Sequence, residues 1–122
     1  MRRKLAESNP AKFNEPLSET LNGMAVLHTM QDKLDVATAE FDESLKLREA
    51  LAVENPKKFN EKLAESLHEQ AKLLIKKGDK AAAKANLARA IEIREALVAI
   101  CKEKFAEDLE KSNALLMTIA ND

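Results

Sequence analysis

Residues 68 to 72 read HEQAK, which begins like a helical zinc site. Such a site sets two histidines four places apart, so that both imidazoles leave one helix face with the glutamate beside them as base. Here the second position is Lys72, so two ligands do not share a face. The other histidine, His28, falls on an apolar stripe with Leu17, Leu21, Met24 and Ala25, and its expected role is that of a packed, hydrogen-bonded core residue. Cys101, the only cysteine, lies in the run ALVAIC and is expected to be a small buried hydrophobe. It leaves no partner for an intramolecular disulfide, which suits a reducing compartment. There is no glycine-rich phosphate loop and no nucleophile elbow, and the carboxylates are scattered at spacings any solvated helix shows. The residues therefore predict no catalytic centre, no metal site and no cofactor.

The elements that must carry any function are helices. Of 122 residues, two are glycine and three are proline, and Trp and Tyr are missing, while Ala, Leu, Lys and Glu abound. Those side chains lose little rotamer freedom in a helix. Twenty Lys and Arg against twenty-one Asp and Glu leave a net charge of -1, which offers no general field for nucleic acid or an anionic membrane. The start, MRRKLAESNP, has the positive charge of a leader without the apolar stretch that should follow, and no segment has the length of a membrane span. A soluble, unprocessed, cytoplasmic chain is the expectation.

The phrase NPAKFNEPLSETL at 9 to 21 returns as NPKKFNEKLAESL at 55 to 67. At an offset of 46, residues 2 to 21 match 48 to 67 at 12 of 20 positions, and 48 to 67 match 94 to 113 at 9 of 20. Self-similarity at a fixed period marks a repeat architecture, whose units cover their apolar faces by stacking. Within each unit the spacing is helical. The first helices carry the stripe containing His28, and then Leu63, Leu67, Gln70, Ala71 and Leu74. After breaks at Gln31-Asp32-Lys33 and Lys77-Gly78-Asp79 come Leu34, Ala37, Phe41 and Leu45, and then Ala83, Leu87, Ala90 and Ile91. Asp32 and Asp79 are expected to cap these second helices.

The repeated phrase reads as a unit boundary. Asn9-Pro10 and Asn55-Pro56 should end the preceding helix, with Asn in the left-handed terminal position. Asn14 and Asn60 should cap the next helix, with Pro16 tolerated in its first turn, and Phe13 and Phe59 should plug the junction. The third copy keeps Phe105 but has Cys101-Lys102 in place of Asn-Pro, so the last helix is expected either to run on from the second unit or to begin near Glu107. The predicted fold is all-α, an α-solenoid of antiparallel helix hairpins with about five helices. It comprises a half unit at 2 to 9, units at 10 to 55 and 56 to 101, and a terminal half unit or capping helix at 102 to 122, in a single domain.

These residues resemble the tetratricopeptide repeat in its long-period form, as in kinesin light chains and bacterial scaffold proteins. Leu21, Met24, Ala25 and His28, and then Leu67, Gln70, Ala71 and Leu74, occupy the first-helix places of that pattern, with Ala37, Phe41 and Ser44, and then Ala83, Leu87 and Ala90, on the second helices. The resemblance implies a module binding a peptide or protein segment in a concave groove lined by the first helices. By position that groove would display Glu19, Asn22, Val26 and Thr29, then Glu65, His68, Lys72 and Ile75, then Lys111 and Ala114. Family members that grip a partner's terminal carboxylate use Lys, Asn and Arg, where this chain has Asn22, Val26, His68, Lys72, Ala114 and Thr118, so the resemblance does not imply that activity here. The alternative is a structural module that self-associates as a homo-oligomer or within a longer array. Its charge supports that reading: residues 35 to 54 hold six acids and two bases, and residues 72 to 89 hold six bases and one acid.

Overall fold

The computed structural model describes residues 10 to 120, with the side chains of 10 to 13 and 120 excepted. Five α-helices follow one another: α1 Pro10–Met30, α2 Leu34–Glu54, α3 Pro56–Lys77, α4 Lys80–Ile100 and α5 Lys102–Ala120. The described residues contain no strand. No helix among them is long and apolar enough to cross a membrane.

Two kinds of joint separate the helices. At the first kind, Lys33 N–H donates to the His28 carbonyl at 2.8 Å and Asp79 N–H to the Leu74 carbonyl at 2.8 Å, each closing a helix by a bond one residue longer than the helical one. The residue inside each loop must then be left-handed, and Asp32 (φ 63°) and Gly78 (φ 87°) are. Asp79 caps α4 as expected, its carboxylate accepting from Ala82 N–H at 3.2 Å. Asp32 does not cap α2. It stands 46 positions before Gly78 and takes that residue's left-handed place, which leaves Lys33 at the cap with no side-chain bond.

The second kind of joint is one residue long. Asn55 N–H donates to the Leu51 carbonyl at 2.9 Å, closing α2, while the Asn55 carbonyl accepts from Phe59 N–H at 3.1 Å, opening α3. Its φ of -144° is extended, not left-handed, because the proline that follows excludes compact conformations. Asn55 Oδ1 also receives Lys58 N–H at 3.3 Å, so the cap lies at Asn55 and Asn60 is inside the helix. Likewise α1 already contains Asn14, and Pro16 lies within it beyond the first turn. Cys101 makes the corresponding joint, bonding to the Leu97 carbonyl at 2.9 Å with φ -149°, so α5 neither runs on from α4 nor starts at Glu107. That placement exposes Cys101, contrary to the apolar run around it.

The chain divides into two compact units, Met1–Asn60 and Glu61–Asp122. In the first, α1 packs on α2. Ala25, Ala37, Phe41 and Leu51 are buried, and the hydroxyl of Ser44 donates to the Ser18 carbonyl at 2.8 Å. His28 is half-buried and joined to Glu40 at 2.6 Å, linking the helix ends nearest the turn. Of the stripe expected inside, Leu17 and Met24 are exposed. Phe59 is buried beneath Lys58, whose Nζ stands 5.3 Å from the ring centre, and the side chain of Phe13 lies outside the described residues.

In the second unit α5 packs on α4. Ala71 of α3, Ala83 and Leu87 of α4 and Ile119 of α5 form the buried centre, with Leu74, Ile75, Leu115 and Leu116 against it. Small residues on the facing helices let the backbones approach, and burying a side chain such as Leu87 stabilises by about 1.5 to 3 kcal/mol. Phe105 is buried with Lys104 Nζ 5.1 Å from its ring centre, repeating the Lys58–Phe59 pair.

Candidate functional site

The second unit holds a polar centre that the hydrophobic pattern alone does not announce. Arg94 projects from α4 toward α5, where its Nη1 donates to Ser112 Oγ at 2.5 Å and to the Asp108 carbonyl at 3.1 Å. The same nitrogen lies 3.3 Å from Nδ1 of His68 on α3. Ser112 Oγ is 2.8 Å from that Nδ1. A guanidinium only donates, so Ser112 accepts from Arg94 and can pass its own proton toward His68, whose Nδ1 must then be the acceptor. The neutral ring accordingly carries its hydrogen on Nε2.

Electrostatics keep the ring in that form. Burial pulls the His68 pKa from 6.5 down to about 4, helped by the positive charges of Arg94, Lys72 and Lys111 and opposed by Asp108. Burial also lowers the Arg94 pKa, while Asp108, Glu65, Glu69 and Glu61 raise it. A guanidinium holds its charge through such shifts. Ser112 and His68 have the spacing of a nucleophile and its base, but Ser112 is wholly buried and bound by Arg94, so no substrate atom reaches it. The trio braces three helices.

Outside the brace lies a cleft of about 370 Å³ lined by His68, Lys72, Lys111, Ala114, Leu115 and Thr118. Lys72 Nζ is 3.6 Å from the half-buried Glu69 and Lys111 Nζ is 3.7 Å from the exposed Glu107, each pair within a single helix. Pairs of this kind are worth about 0.3 to 0.5 kcal/mol and yield readily to a competing anion. The Thr118 hydroxyl donates to the Ala114 carbonyl at 3.0 Å. The cleft thus brings together two ammonium groups, the His68 ring and the apolar side chains of Ala114 and Leu115. Among the described residues no group of three or more His, Cys, Asp or Glu could hold a metal ion.

No protein family, curated protein or solved structure matches this chain.

Of the residues expected in a groove, His68, Lys72, Lys111 and Ala114 come together at this cleft. Glu65 is exposed elsewhere on α3, and Ile75 packs against the core. Glu19, Asn22, Val26 and Thr29 belong to α1 in the first unit. Asn22 is buried, Glu19 exposed, Val26 half-buried, and the Thr29 hydroxyl donates to the Ala25 carbonyl at 2.7 Å.

Arg94 and Ser112 are the residues that pattern reading passed over. Arg48 is buried to 2 % exposure, with Nε 3.4 Å from Ser18 Oγ, and it precedes Arg94 by 46 positions in the matching phrases LREALA and IREALV. An arginine recurring on the buried stripe was the available signal.

Proposed function

We propose that this protein is a peptide- or protein-binding module of the helical-repeat kind, an α-solenoid resembling the tetratricopeptide repeat with a 46-residue period, acting as a cytoplasmic adaptor without enzymatic activity. The supporting observation is the cleft of the second unit, where four of the residues expected on a groove line one cavity of about 370 Å³. Its ligand is a short peptide segment carrying a carboxylate. The carboxylate exchanges the weak intrahelical partners of Lys72 and Lys111 for itself and accepts the His68 N–H, while an aliphatic neighbour covers Leu115 and Ala114.

Panning a displayed random-peptide library on the purified chain tests this reading. Acidic peptides should be enriched, and a synthetic peptide from that pool should bind with an affinity that falls as salt rises. The double variant Lys72→Glu, Lys111→Glu should abolish binding and His68→Ala should weaken it. Enrichment of basic or purely apolar peptides, or binding indifferent to the double variant, would refute it.

A second reading is a self-associating structural module. It is favoured by the exposure of Asp35, Asp42, Glu43 and Glu54 on α2 and of Lys76, Lys77, Lys80, Lys84 and Arg89 on the second unit, which puts blocks of opposite charge at the surface. Sedimentation at low and high salt separates the two: charge-driven association dissolves as salt is added, and a monomer in both conditions removes it.

A further inference from the structure

Asn22 is followed by Gly23, and no other asparagine of the chain precedes a glycine. The pair sits in the interior of α1, where Asn22 is buried. Neither packing nor backbone geometry calls for the glycine. Among the described residues a positive φ occurs at Asp32 and Gly78, not at Gly23, and a Cβ added to Gly23 would meet nothing within 4 Å. A glycine under no such demand weakens its helix by freeing the backbone. Pro16 also lies inside α1, where its ring leaves the helix one N–H donor short.

The other copies of the repeat have neither breaker. Lys62 and Glu69 of α3 stand 46 positions after Pro16 and Gly23, and Asp108 and Leu115 of α5 stand a further 46 on. His68 and Ala114 take the place of Asn22. Among the described helices α1 is therefore the one whose own sequence holds it most loosely. It packs on α2 while Leu17, Met24, Leu27 and Met30 stay exposed. Weak intrinsic helicity and partial burial are the features of a segment that opens by itself, ahead of the rest of the fold.

We propose that Asn22 is a site of spontaneous covalent modification, deamidation through a cyclic imide, gated by local opening of α1. While α1 is closed the reaction is blocked, because the Gly23 N–H is donated along the helix and the helical backbone turns that nitrogen away from the Asn22 side chain. When α1 opens, the Gly23 nitrogen gives up its proton to solvent and attacks Cγ of Asn22, with no Cβ in the way. The new C–N bond closes the imide as the bond from Cγ to the side-chain nitrogen breaks, and that nitrogen takes a proton from solvent and leaves as ammonia. Water then opens the imide at either carbonyl to give aspartate or isoaspartate, so water is consumed, ammonia is released and nothing is oxidised or reduced. Both products place a carboxylate where a neutral amide was buried. Isoaspartate also lengthens the main chain by a carbon, which the helix cannot absorb. A reversible opening thereby becomes a one-way loss of the first unit, independent of the second unit's cleft.

Peptide mass spectrometry of the whole chain, incubated at neutral pH with and without denaturing guanidinium chloride, follows the amide-to-acid conversion at Asn22. The native rate should be at least ~10-fold below the denatured rate, and at least ~10-fold above the denatured rate multiplied by the globally unfolded fraction from a denaturant titration. Pro16→Lys, which restores the missing donor with the residue found at position 62, should slow conversion at least ~10-fold in the native chain and leave the denatured rate as it was. The isoaspartyl chain, separated by ion exchange, should have lost helicity by circular dichroism. Equal rates with and without denaturant, a native rate no greater than global unfolding supplies, a Pro16→Lys chain that converts as fast as its parent, or an isoaspartyl chain as helical as its parent would each overturn the proposal.

Discussion

His68 should make the second unit acid-sensitive by a measurable amount. In the folded chain its pKa is about 4, set first by burial and then by Arg94 and Lys72. In the unfolded chain it returns to about 6.5. Between these values the unfolded chain binds a proton that the folded chain refuses, because Nδ1 already faces the Arg94 guanidinium at 3.3 Å and the Ser112 hydroxyl at 2.8 Å. Protons therefore favour the unfolded state, so stability falls as pH is lowered from about 6.5 to about 4 and is insensitive to His68 above that window. At ~1.36 kcal/mol per pH unit of displacement, the loss reaches about 2.5 kcal/mol by pH ~4.5. A marginally stable domain has only about 5 to 15 kcal/mol in total. The assay is urea denaturation followed by circular dichroism, on the parent chain and on His68→Asn, which installs the type found 46 positions earlier at Asn22. The difference between the two curves cancels the carboxylates. At pH 7 His68→Asn should cost about 1 kcal/mol for one weakened hydrogen bond, and by pH ~4.5 the order should reverse. Parallel curves across this range, or an NMR titration placing the His68 ring near 6.5, would refute the reasoning.

Arg94→Met keeps most of the side-chain volume and removes the charge and three polar contacts. It should cost about 1 to 3 kcal/mol in the same denaturation assay. It should also raise the His68 pKa in the NMR titration, since Arg94 is the leading charge that lowers it. Lys33→Asp places at the first turn the residue that caps α4 from Asp79, and it should stabilise the first unit by about 0.5 to 2 kcal/mol, read as a raised urea midpoint with unchanged slope.

The helices were legible because two signals agreed. Apolar residues three and four apart gave the buried faces, as at Ala83, Leu87 and Ala90, and the return of one phrase gave the joints between helices. The structure departs from the pattern at the joints. Asn14 and Asn60 look like caps, yet a single pre-proline Asn55 suffices to close one helix and open the next, so the helix absorbs the polar stretch behind it. Aligning the turns residue by residue would have placed Asp32 opposite Gly78, and with it the left-handed position. Exposure of Leu17 and Met24 was illegible for a different reason: periodicity defines a face without saying what covers it.

The buried arginines were hidden by a rule about residue type rather than by lack of spacing. Phe41, Ser44, Arg48 and Leu51 fall at intervals of three and four, as do Leu87, Ala90, Arg94 and Leu97, so the arginine stands on the apolar stripe in both helices. Its aliphatic stem meets the packing demand while its planar head needs acceptors, and the smallest that fit between close helices are serine hydroxyls and main-chain carbonyls. Ser18 and Ser112 supply them, and both are buried at positions where alanine would pack equally well. Contacts among Ala, Leu and Ile tolerate slippage of one helix along another. A guanidinium bonded to Ser112 and Asp108 does not, so Arg94 fixes the register of α4 on α5 and, through Ser112 and His68, the register of α3 as well. The same bonds hold the His68 ring at the cleft in one tautomer, and the apolar stripe alone could not supply that orientation.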